Sequence, residues 1–208
     1  MEHDIAARTG RGHIVLPTVL AVWGLGVAIA ARTGLFGGVY PLLLAGLIAL
    51  DIILPVVAYA LSRSFRDYIE ALGLRGLTAF HVWRIAAALV FFWYGTNNLL
   101  PEVFVRNTGW GDLIAGLLAL GVILLPETRN RYLVFHLFGF ADFIVAVGTG
   151  LTLFLLNDTR MTGIQTLPMA LIPFYGVGIS GASHIMAFDL LWRHAGLRRP
   201  ASNLAANA

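Results

Sequence analysis

The run GVGISGASHIMAFDLLWRH, residues 176–194, carries an imidazole, His184, inside an otherwise apolar stretch and ends on a second, His194. Gly176, Ser180 and His184 fall at four-residue steps and so share one helix face. A face that reads small, small, imidazole lets a neighbouring helix come close and meet a titratable group. Two further apolar runs supply His81 and His136. Neutral imidazole is the usual protein ligand of metal ions and of haem. His81, His136 and His184 are therefore the candidate ligands of a metal ion or a haem b, with Asp142 as a further metal ligand. Asp51, Arg84, Asp142 and Ser180 are candidates for a polar relay or for internal pairing. No catalytic residue is assigned.

Composition says what solvent surrounds these groups. The 208 residues are 58% hydrophobic and 12% charged. Soluble domains carry about 25% charged residues, so half that value with long apolar runs points to lipid. The expected fold is an all-α polytopic transmembrane bundle of six spans, at about 14–31, 35–61, 77–100, 111–125, 133–156 and 167–192. Residues 1–13 form a short polar segment before it, and 193–208 a tail expected to be disordered. The first run resembles a signal peptide around Ala28-Ile29-Ala30, but it exceeds the usual h-region of about 7–15 residues, which favours a retained span. The fourth run has some fifteen residues where about 20 are needed, and Asp112 reads as a cap on its first turn.

All basic residues are Arg, for there is no Lys, and the net charge is +3. They lie in short loops rather than in a basic arm, so the excess sets membrane orientation and is no nucleic-acid signal. With both termini cytoplasmic, Arg8, Arg11, Arg63, Arg66, Arg75, Arg129, Arg131, Arg193, Arg198 and Arg199 fall inside. Only Arg32, Arg106 and Arg160 fall outside. With no Cys, disulfides, thiolate metal sites and C-x-x-C-H haem attachment are excluded.

On this topology His81, Arg84, His136, Asp142 and His184 reach similar depths in the cytoplasmic half, and Asp51 lies nearer the midplane beside Pro55. Ionisable groups there cost about 2.5–3.5 kcal/mol each on insertion scales and normally face the bundle interior in pairs. Each group has a simpler reading. Arg84 beside Trp83 fits an interfacial arginine as well as a buried partner for Asp142 or Asp51. His81 and His136 fit ordinary boundary positions. Asp189 reaches Arg193 four residues on and reads as a surface pair. His184 and Asp142 lie deeper and read as functional or pairing groups. Asn97, Asn98, Glu102 and Asp112 form a second layer of caps and loop contacts.

The Ser180-x-x-x-His184 pair resembles one element of the intramembrane metal hydrolases of the alkaline ceramidase and adiponectin receptor group. This chain lacks that group's His-x-x-x-His and has fewer spans. The runs His81-Val82-Trp83-Arg84, Leu100-Pro101-Glu102-Val103-Phe104 and Gly109-Trp110-Gly111-Asp112 resemble uncharacterised bacterial multi-pass inner-membrane proteins. That resemblance implies a bacterial inner membrane and no activity. Three functions follow from the layer: binding of a metal, haem or small polar ligand; a small proton-coupled transporter; and a structural or assembly subunit of a membrane complex. The expected partners are the lipid bilayer and either a second copy or a complex subunit.

Overall fold

The computed structural model describes residues 2–197. Within them the chain is helical, with no strand. The helices are α1 (Glu2–Arg32), α2 (Pro41–Leu61), α3 (Arg63–Phe80), α4 (Arg84–Thr96), α5 (Glu102–Leu124), α6 (Arg129–Leu155) and α7 (Val177–Leu197). They provide six stretches long and apolar enough to cross a membrane. Many large apolar side chains point outward, among them Val22, Leu61, Leu124, Val134 and Leu156. Water tolerates no such continuous apolar surface, whereas lipid requires it. The tail expected after Arg193 runs past Leu197, so Arg198, Arg199 and its end lie outside the described residues.

Two expected boundaries change. Residues 62–76, read as a polar loop, form most of α3, whose start is capped by the Ser62 hydroxyl accepting from the Phe65 amide at 3.2 Å. Polar and apolar residues alternate around this helix, so its charge concealed its amphipathic period. Gly73, at φ 67 and ψ 178, breaks it, in a region that only glycine enters readily. The stretch Arg63–Thr96 is 34 residues long, more than a bilayer core needs. The Gly73 break and the 3-10 turn His81–Trp83 interrupt it.

The fourth span is also longer than expected. It begins at Glu102 and runs for 23 residues, so no thinned bilayer is needed. Pro101 precedes it, and a π-helical turn, Val105–Gly109, lies within it. Arg106, Asn107 and Thr108 looked like loop residues. In fact Thr108 is buried, and the Asn107 amide donates to the Thr149 hydroxyl at 3.4 Å. Asp112 therefore sits well inside the helix rather than at its cap. The sixth span enters through the 3-10 turn Met169–Leu171 and a π turn, Ile172–Gly176, that contains Pro173.

α7 is the central helix, with 61% of its spanning stretch buried against 6% for α1. It packs on α2, α3 and α6, and α5 packs between α4 and α6. Two apolar clusters fill the bundle. One holds Phe91, Tyr94, Phe104, Met161 and Met169; the other holds Tyr59, Ile69, Leu77, Met186 and Leu190. Along α3 and α4, His81 and Arg84 fall between Leu77 of the second cluster and Phe91 of the first. The arginine-bearing connections meet at one end of the bundle. Arg75 lies 3.6 Å from Glu127, Arg129 donates to the Leu191 carbonyl at 3.4 Å, and Arg193 pairs with Glu70. Arg193 also pairs with Asp189 at 2.6 Å, the local pair expected of that residue, and Tyr59 donates to the same carboxylate. At the opposite end Asp158 accepts from the Arg160 backbone N–H and guanidinium, which hold its carboxyl below the usual carboxylate range.

Candidate metal centre

His81, His136 and His184 come together in the bundle interior, each with none of its surface exposed. The boundary reading of His81 and His136 is thereby overturned. Both rings pack against Phe135 and His184 inside the bundle rather than facing outward. One nitrogen from each ring lies within 4.8 Å of one from each of the others. His81 and His184 stack with centroids 4.1 Å apart, and His136 stands edge-on to His184 at 5.1 Å. His136 Nδ1 and His184 Nδ1 are 2.9 Å apart. Ligands on a metal–nitrogen bond of about 2.0–2.1 Å stand about 2.9 Å apart at a right angle and about 3.4 Å apart at the tetrahedral angle. That distance is also that of an N–H···N hydrogen bond between the two rings, which an ion held by both Nδ1 atoms would replace.

Hydrogen bonds outside the cluster orient the rings. The Ser183 hydroxyl donates to the Ser180 carbonyl at 2.8 Å, so its oxygen is left to accept from His81 Nε2–H at 2.9 Å. That places the proton of a neutral His81 on Nε2 and leaves Nδ1 with a bare lone pair. His81 Nδ1 is buried without a hydrogen-bond partner, and so is His184 Nε2. Thr78 Oγ1 lies 3.2 Å from His136 Nε2 and orients that ring in the same way. Metal-bound histidines characteristically have their second nitrogen held like this. Orphaned buried nitrogens are uncommon, because each forfeits a hydrogen bond it had in water. Thr78 and Ser183 were not singled out from the sequence. The small run Gly181-Ala182-Ser183 was the faint signal for Ser183.

A second constellation lies beside the first. Arg84, 3% exposed, donates from Nε to Asp112 Oδ1 at 2.6 Å, from its second terminal nitrogen to Asp142, and from Nη1 to the Gly139 carbonyl at 3.4 Å. Arg84 is therefore a buried partner and not an interfacial arginine. Asp142 is the partner expected, and Asp112 replaces Asp51 as the other. Asp142 does not join the imidazoles as a metal ligand. It lies six residues after His136, about 120° around the helix, and faces Gly111 and Arg84 instead. Asp51 is half-buried against Gly178 and stands apart from both groups. Ser180 is buried with its hydroxyl unpartnered.

Gly139 joins the two constellations. A Cβ there would lie 2.6 Å from His184 Cε1, 2.9 Å from His184 Nε2 and 3.6 Å from Arg84 Nη1. The His184 ring is packed by Phe135 and Phe140 and has nowhere to retreat. Gly139→Ala is expected to destabilise the fold by about 1–3 kcal/mol, the usual cost of overpacking. Reversible denaturation in mixed micelles measures it, and an unchanged midpoint would contradict the close fit.

A cavity of about 220 Å³ adjoins Arg84, Asp112, Thr108 and Ser180, and its remaining walls are mostly apolar. It is not lined by Asp51 or Asp142, so a relay running between those carboxylates gains nothing from it.

The family described as a domain of unknown function (DUF8737) matches residues 41–192. That range takes in every residue of both constellations and leaves α1 outside. No curated protein and no solved structure gives a significant match.

Proposed function

Since the chain belongs to the DUF8737 family, whose function is unknown, its activity must be argued from its site, and we propose that His81, His136 and His184 bind one transition-metal ion inside the membrane. The observation that carries this reading is the convergence of three buried imidazole nitrogens within 4.8 Å, two of the rings retaining an unpartnered nitrogen. Zinc-like ions suit three neutral nitrogen donors, and three protein ligands leave a fourth position for water or a substrate oxygen. An ion there would bind water and lower its pKa or polarise a carbonyl, as in metal-assisted hydrolysis.

Charge supports the same reading. Three neutral imidazoles bring no charge to offset a divalent cation in a low-dielectric interior, where isolated charge is heavily penalised. Arg84, Asp112 and Asp142 together carry a formal charge of −1, and Gly139 sets them against His184. An ion fits better than haem. The imidazole faces are occupied by one another and by Phe135, Phe140 and Phe188. An ion needs only a point about 2 Å from each nitrogen.

The protein is proposed to sit in a bacterial inner membrane with both termini cytoplasmic. The gathering of Arg75, Arg129 and Arg193 at one end of the bundle supports that orientation through the positive-inside rule. The test of function is the metal content of the full-length protein purified without chelator. About one ion per chain is expected, with that stoichiometry lost in His184→Ala.

A further inference from the structure

The cavity is a separate feature whose construction the metal reading does not use. Its lining comes from five spans. On α5 the wall residues Asp112, Thr108 and Phe104 follow at four-residue steps, so one helix face runs from carboxylate through hydroxyl to aromatic ring. On α4 the wall runs from Arg84 to Phe91, and toward α7 from Ser180 to Pro173. The polar groups of three spans therefore share one end. The other end is lined by Phe104, Met161 and Met169.

Two polar atoms at the polar end have no partner. The hydroxyls of Ser180 and Thr108 are buried and unbonded, their residues being 4% and 5% exposed. A buried hydroxyl without a partner forfeits the hydrogen bond it had in water, and a bound polar group would restore it. The same end is selective about charge. Arg84 uses its nitrogens on Asp112, Asp142 and the Gly139 carbonyl. That engages three of its five N–H groups, and the trio's formal charge of −1 disfavours an anionic head. Size narrows the ligand further. At about 220 Å³ the space exceeds the roughly 150 Å³ cavity that accepts benzene, and falls short of the roughly 300–1,000 Å³ of drug-sized pockets.

We propose that this cavity binds a small uncharged amphiphile. A hydroxyl or carbonyl head meets Ser180 and Thr108 beside the Asp112 carboxylate, and a body of one ring or a short chain lies between Phe91, Phe104 and Phe143. Binding uses no metal ligand, so it stands or falls apart from the metal centre. A membrane-lipid tail would supply the apolar body but leave both hydroxyls unbonded.

The probe is a diazirine derivative of 1-octanol, applied to the full-length protein in nanodiscs, with crosslinks mapped by mass spectrometry. Labelling is expected at Phe104, Phe143 or Met161. Competition by 1-octanol is expected to be at least about tenfold stronger than by octanoate or n-octane. Ala146→Trp, which fills the space, is expected to abolish labelling. Ser180→Ala with Thr108→Val, which barely alters volume, is expected to erase the preference for octanol over octane while leaving metal content unchanged. Labelling confined to lipid-facing residues would overturn the proposal. So would equal competition by octane, which would assign the space to an acyl tail, or stronger competition by octanoate, which would mean an anion site.

Discussion

Arg84→Leu is expected to destabilise the protein by about 3–5 kcal/mol, the cost of leaving a buried ion pair without one partner. Among the described residues the arginine is the cation that pairs with both Asp112 and Asp142, whose side chains are 8% and 9% exposed. Removing it leaves two acids facing each other in low dielectric with the guanidinium hydrogen bonds lost. Either they become protonated or the helices separate, and both outcomes loosen the contact between α4, α5 and α6. Equilibrium denaturation in mixed micelles measures the loss. The triple variant Arg84→Leu, Asp112→Asn, Asp142→Asn removes the uncompensated charges and is expected to recover most of the stability, since buried ion pairs exchange for neutral groups at small cost. A single variant within about 1 kcal/mol of wild type would show that the ion pair does not hold these helices together.

The second large effect concerns the bound ion. A ligand that binds only the folded state at a thousand times its Kd adds about 4.1 kcal/mol. Stripping the metal with a membrane-permeant chelator is therefore expected to lower stability by about 4 kcal/mol under such loading, with recovery on adding zinc back. His184→Ala is expected to be insensitive to the chelator, because it has no ion to lose. If wild type and His184→Ala respond alike, the chelator acts elsewhere and the histidines hold nothing.

The six-span architecture was legible because lipid imposes a strong signal: long apolar runs with charges confined to their ends. It failed where polar residues lie within helices. The arginines and acids of α3 looked like a loop because its period is amphipathic. Arg106 to Asp112 looked like a loop and a cap because the sequence could not show that Thr108 and Asp112 turn inward. The three histidines were found because imidazole is rare in an apolar run. That they converge was an expectation, and it needed helix rotations that spacing alone does not supply. Asp112 is the clearest omission. Its position near an apparent span end hid it, and the extra turns from Glu102 onward place it at the depth of Arg84. Thr78 and Ser183 were missed because small hydroxyl residues in spans are common and carry no distinctive spacing.

The central claim is that three imidazoles hold one ion, and the most direct test joins metal analysis to X-ray absorption on the full-length protein in nanodiscs. The result expected is about one transition-metal ion per chain, with nitrogen scatterers at about 2.0–2.1 Å if the ion is zinc, and loss of that signal in His81→Ala, His136→Ala and His184→Ala alike. A protein that stays metal-free after loading with zinc, or whose ion survives all three substitutions, would contradict the account.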